Sequence, residues 1–116
     1  MLLKICGITR EEDAQCAAMY GVDFIGAIHV ESSKRFVTVE QAKNIFAVVK
    51  SAKTVLVVRD MELEKLQAII DDIHPYAVQL HGHESPEYAM SLKDVKVWKA
   101  FNLNTLNDLQ EAGVFP

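Results

Sequence analysis

Leu2-Leu3-Lys4-Ile5-Cys6-Gly7-Ile8-Thr9 compresses a strand, a turn and a helix start into one short stretch. Leu2, Leu3 and Ile5 supply an apolar strand, Gly7 permits a tight turn, and Thr9 with Glu12 forms a T-x-x-E capping signal. In sheets built from strand and helix repeats, ligands gather beyond the carboxyl ends of the strands. Cys6 stands at such an end. A free cysteine can equally serve as a small buried hydrophobe, so the rest of the chain has to decide its role.

Working outward, the same pattern recurs. A helix from Arg10 to Tyr20 carries Ala14, Ala17 and Ala18 on one face, thin enough to lie close to a sheet, with Gly21 past its end. Asp23 to Ile28 is a nearly continuous apolar run, as expected of a strand covered on both faces. A loop from His29 to Phe36 follows, and Thr38 with Gln41 caps a second helix bearing Ala42, Ile45, Phe46 and Val49. Thr54 to Val58 is uniformly apolar and mostly β-branched, the clearest strand of all. Asp60 is expected to open a third helix along Leu63, Leu66, Ile70 and Ile73, stopped by His74-Pro75. Tyr76 to Leu80 is a fourth strand, Ser85-Pro86 caps a short helix through Leu92, Val95 to Ala100 is a fifth strand, and Asn104 to Gly113 reads as a fifth helix.

Such alternation means parallel strands joined by right-handed crossovers, with helices packed on the sheet. An open doubly wound sheet and part of a (β/α)₈ barrel both satisfy it. The length of 116 residues favours the open sheet, since a closed barrel usually needs roughly 200 or more. One domain spanning 1–116 is expected.

A net charge of −4 with 12 scattered Lys and Arg argues against a nucleic-acid partner, which needs clustered cations. No apolar run approaches the roughly 20 residues of a membrane span, and the first residues are too short for a secretory signal, so a cytoplasmic location is expected. Cys6 and Cys16 have neither metal-ligand spacing nor the density of a disulfide scaffold and read as free thiols.

Several side chains could carry chemistry. Strand alternation puts Lys4 and Cys6 on one face, about 6–7 Å apart, where an ammonium favours the thiolate and so a base or nucleophile. Arg35 in the second loop could grip a carboxylate or phosphate, or simply be solvated. Gln79 and His81 share a parity at the end of the fourth strand and could face the same mouth as Cys6, although a hydrogen-bonded loop histidine is as good an account of His81. Lys99 lines the pocket or solvates its rim, His29, His74 and His83 sit at turns, and Cys16 reads as packing. No P-loop, G-x-G-x-x-G, His-Glu-x-x-His or Ser-His-Asp pattern is present.

Taken together, Lys4-Ile5-Cys6-Gly7-Ile8-Thr9, Ser33-Lys34-Arg35-Phe36-Val37, Val78-Gln79-Leu80-His81-Gly82 and Trp98-Lys99-Ala100 closely resemble the phosphoribosylanthranilate isomerase family, in its order and at its spacing. The resemblance implies a (β/α)₈ barrel of which these are the first five units. It also implies an Amadori rearrangement in tryptophan biosynthesis that needs no cofactor or metal. A general acid opens the furanose ring of N-(5′-phosphoribosyl)anthranilate to a Schiff base, and a general base removes the C2′ proton. By the resemblance Cys6 is that base, supported by Lys4 and Gly7. Arg35 holds the anthranilate carboxylate, and Gln79 and His81 fall on the substrate-binding wall.

There are departures. Lys34 stands where the family commonly has proline, which is expected to loosen Arg35. The general acid of the family is an aspartate at the end of the sixth strand, beyond this chain, as are the loops that hold the substrate phosphate. The isolated chain is therefore expected to be inactive, and either to pair with a second copy or a complementary barrel half, to curl into an open sheet, or to be a truncated record of a longer protein. A non-catalytic half-barrel acting as an interaction or structural subunit is the competing expectation.

Overall fold

The computed structural model describes residues 2–100. The expected fifth helix lies outside them. Five strands alternate with four helices: β1 (Lys4–Ile5), α1 (Glu11–Met19), β2 (Phe24–Ile28), α2 (Val39–Ala47), β3 (Lys53–Val58), α3 (Leu63–Ile73), β4 (Ala77–Leu80), α4 (Pro86–Ser91) and β5 (Lys96–Lys99). All four pairings are parallel and the strand order is β1-β2-β3-β4-β5.

That order separates the two architectures left open by the sequence. A doubly wound sheet reverses direction at a switch point and carries helices on both faces. Here each strand lies beside its predecessor. Ile25 and Ala27 of β2, Leu56 and Val58 of β3, and Val78 and Leu80 of β4 all pack in one cluster with Ala14 and Ala17 of α1, Ala42, Ile45 and Phe46 of α2, and Leu66, Ile69 and Ile70 of α3. These strand residues share one parity, so the helices cover one face only. The length argument for an open sheet is corrected: this is the wall of a barrel.

The opposite face is strongly concave. β2 and β5 are three strand spacings apart, roughly 14 Å in a flat sheet, yet the rings of Phe24 and Trp98 meet edge to face with centroids 5.1 Å apart. Likewise the Lys4 ammonium on β1 donates to the Gln79 side-chain oxygen on β4. Val55, Val57 and Ala77 are buried on this inner face.

Local signals fared unevenly. Thr38 and Gln41 form a reciprocal capping box, and the Ser85 hydroxyl accepts from the Tyr88 amide at 3.1 Å, as read from sequence. The Thr9 box does not form. Arg10 is the N-cap of α1, without a side-chain cap, and its guanidinium pairs with Asp13 at 2.9 Å. Nor does Asp60 cap α3. The helix starts two residues later behind Glu62, and Asp60 adopts a left-handed conformation with φ 50°. Its carboxylate is used by a different loop. Among the described residues no helix is long and apolar enough to cross a membrane.

Candidate active site

At the carboxyl end of β1 the chain turns at Gly7, whose φ of +80° is the left-handed region that disfavours a side chain. A Cβ at Gly7 would lie 2.7 Å from Arg35 Cδ and 3.3 Å from Arg35 Nη1. The arm of Arg35 therefore lies directly on the backbone that follows Cys6. Lys34 in place of proline does not unmake the loop. The Ser33 hydroxyl accepts from the Arg35 amide at 3.1 Å, the Ser33 carbonyl accepts from the Phe36 amide at 3.2 Å, and Phe36 stacks on His29 with centroids 5.3 Å apart. His29 in turn donates its Nδ1–H to the Val37 carbonyl at 2.8 Å, so this histidine pins the loop.

Below the thiol lies Gly26 of β2. A Cβ there would sit 3.0 Å from Cys6 Sγ and 3.4 Å from Lys4 Cε, so the missing side chain provides the space both groups occupy. Lys4 and Cys6 do share a face. The Lys4 ammonium, however, is held by Gln79 and stands 5.7 Å from the centroid of the Trp98 ring, an arrangement with cation–π character. Gln79 thus spends its oxygen on Lys4. His81 follows two residues beyond Gln79 on the same face. It is exposed, its amide donates to the Val58 carbonyl at 2.9 Å, and its imidazole makes no hydrogen bond to a described residue. The structure brings Cys6, Gly7, Arg35, Lys4 and Gln79 together, and His81 follows Gln79 at the carboxyl end of β4.

Lys99 belongs elsewhere. It is in register with Leu80, on the helix-facing side of β5, and pairs with Glu84 at 2.8 Å; their side chains are 7% and 1% exposed. It neither lines the Cys6 face nor solvates the rim. Burial pushes the Glu84 carboxyl up, but the Lys99 ammonium and the amides of Asp60, Glu84 and Gly82 outweigh it and leave it below the ordinary glutamate value. Cys16 is exposed, so its assignment to packing is corrected as well. Among the described residues no group of three or more His, Cys, Asp or Glu is placed to hold a metal ion.

Gly26, Glu84 and the Lys99 pairing were not singled out in the sequence. A glycine inside an apolar strand signals close approach by another chain segment, which is the use made of Gly26. Glu84 in a polar loop carries no comparable mark.

Against this geometry, the family pattern described as "PRAI: N-(5'phosphoribosyl)anthranilate (PRA) isomerase" matches residues 3–115. The chain belongs to this family. It is 34% identical over 115 residues to the N-(5'-phosphoribosyl)anthranilate isomerase of Sulfurihydrogenibium sp., covering 99% of this chain and 56% of that protein. It is 42% identical over 106 residues to the tryptophan biosynthesis protein TrpCF of Buchnera aphidicola subsp. Schlechtendalia chinensis, covering 87% of this chain and 23% of that protein. A solved phosphoribosylanthranilate isomerase in complex with reduced 1-(o-carboxyphenylamino)-1-deoxyribulose 5-phosphate superposes with a TM-score of 0.89 at 32% identity, covering 97% of this chain and 59% of that one. The chain therefore spans about half the length of the isomerases it matches and about a quarter of TrpCF, and its five parallel strands match about half of the family barrel.

Proposed function

We propose that this chain supplies the base side of an Amadori isomerase acting on N-(5′-phosphoribosyl)anthranilate. The observation that supports the reading is the seating of the Arg35 side chain on Gly7, the residue after Cys6; a guanidinium at that position suits a carboxylate. A substrate whose anthranilate carboxylate rests on Arg35 would lay its sugar toward Cys6.

The chemistry then runs as follows. Protonation of the furanose oxygen breaks its bond to C1′ as the anilino nitrogen lone pair forms the Schiff base. Cys6 Sγ takes the C2′ proton, and the C–H electron pair becomes the C1′=C2′ bond of an enaminol. A proton returned to C1′ and lost from the C2′ hydroxyl gives the 1-deoxyribulose ketone. Gln79 acts through Lys4, keeping the inner face closed beneath the thiol, while His81 borders the substrate.

The ring-opening acid and the phosphate anchor are assigned to further β/α units of the barrel, in one polypeptide or on a complementary half. Those units would also cover Leu2, Leu3 and Ile5, which are exposed along β1. The test is growth of a tryptophan auxotroph lacking the isomerase. Failure of the 116-residue chain, rescue by a version extended through the sixth to eighth units of a relative, and loss of rescue on Cys6→Ala are expected. Rescue that survives Cys6→Ala rejects the reading.

A further inference from the structure

Behind the mouth, on the helix side of the sheet, one buried carboxylate ties three segments together. Glu84 Oε2 accepts from the Asp60 amide at 2.8 Å, and Glu84 Oε1 accepts from the Gly82 amide at 2.9 Å and the Lys99 ammonium at 2.8 Å. Lys99 donates as well to the Gly82 carbonyl. Asp60 completes the knot by accepting from the His83 amide and, at 3.1 Å, from the His83 ring N–H. A Cβ at Gly82 would lie within 2.7 Å of three Asp60 carboxylate atoms, so the glycine leaves the room that carboxylate occupies.

We infer that Glu84 and Lys99 are positioning residues that hold the β4–α4 loop so that His81 stays on the Cys6 rim. The inference rests on the isomerase reading above. An ion pair withdrawn from water is a poor net stabiliser, because desolvation of two charges offsets much of their attraction. What this pair delivers is directional: the amide of residue 60 and both backbone groups of residue 82 are fixed, and residue 83 is fixed through Asp60. His81, whose own amide is bound to Val58, is thereby held from both sides. Among the described residues, Lys99 is in register with Leu80 on the helix side of the sheet and holds Glu84 there, so the effect on the reaction passes through the loop.

The experiment uses Lys99→Met and, because a lone buried carboxylate can prevent folding, the neutral pair Glu84→Gln with Lys99→Met. Amide hydrogen exchange is followed on the 116-residue chain, and steady-state kinetics on whichever form rescues the auxotroph. For the paired variant, exchange at residues 81–83 is expected to accelerate about tenfold while the amides of β2 and β3 keep their protection. KM should rise about tenfold with kcat within about twofold, the signature of a displaced binding wall. Unchanged KM overturns the inference, whether or not stability falls, and leaves the reading standing if Cys6→Ala is dead. Turnover that survives Cys6→Ala strikes the reading itself, and with it the role given to His81.

Discussion

The Lys4 ammonium on β1 is bound to the Gln79 side-chain oxygen on β4, across two intervening strands. This contact and the Phe24–Trp98 ring pair both span the concave face of a curled sheet, which brings β1 side chains within reach of β4. A charge-assisted hydrogen bond of this kind contributes about 1.5–3 kcal/mol. Gln79→Leu should therefore lower the unfolding free energy by about that amount, because the half-buried ammonium loses its acceptor. In a double-mutant cycle with Lys4→Met, measured by urea unfolding, a coupling near zero would show that the contact bears no load.

The space over Gly26 is already filled by Cys6 Sγ and Lys4 Cε, 3.0 and 3.4 Å from where a Cβ would stand. Gly26→Ala asks the neighbours to give by a few tenths of an ångström. Gly26→Val asks for two methyl groups more, and is expected to cost about 1–3 kcal/mol as an overpacked site. The same variant should alter the alkylation rate of Cys6 in a Cys16→Ser background. An unaltered rate alongside wild-type stability would mean that Gly26 is not the seat of the thiol.

Much of this was legible in the sequence, for a physical reason in each case. Strand runs such as Val55-Leu56-Val57-Val58 and the Thr38–Gln41 cap are local, so propensity and pattern suffice. The choice between open sheet and barrel is not local. It depends on which strands are neighbours and which face the helices cover, and single-chain periodicity is identical in the two. Thr9 and Asp60 carried the right residue types for caps, yet α1 begins behind Arg10 without a side-chain cap, and the Asp60 carboxylate serves the His83 loop, a partner that periodicity cannot see. Strand parity was enough to put Lys4, Cys6 and Gln79 on one face, where Lys4 meets Gln79 and both Lys4 and Cys6 lie over Gly26. Lys99 was misplaced because the pattern did not tell which face of β5 its side chain takes.

Gly7→Ala tests the turn and the cation at once. At φ +80° an alanine is strained by about 1 kcal/mol or more, and its methyl would collide with Arg35 Cδ at 2.7 Å. The long arginine can swing aside, so the expected result is a modest loss of stability and a clear loss of grip on a carboxylate. In the form that turns over substrate, KM for the anthranilate substrate should rise more than kcat falls. Arg35→Lys should behave similarly at no cost to the fold, since an ammonium cannot form the paired hydrogen bonds of a guanidinium.

Acid and alkali should unfold the β3–β5 rim for opposite reasons. The Glu84 carboxyl lies below its ordinary value of 4.5, and Asp60 below its ordinary 3.8 chiefly through the hydrogen bond from the His83 amide. Both contribute stability above those ordinary values that is lost as the pH falls through the lower folded ones. Tyr88 is the converse. Burial, with the charges of Glu84 and Asp60 beside it, pushes the phenol up from 10.0 to about 12, and its hydroxyl donates to the Met61 carbonyl at 2.6 Å. Its contribution is complete below pH 10 and disappears as the pH rises through about 12, because the unfolded chain releases the proton first. Lysines titrate in the same range, so the decisive comparison is Tyr88→Phe. That variant should lose about 1 kcal/mol at neutral pH with its hydrogen bond, yet show a shallower alkaline fall in urea midpoint than the parent. Parallel alkaline limbs would show that the phenol ionises as freely in the folded chain as in the unfolded one.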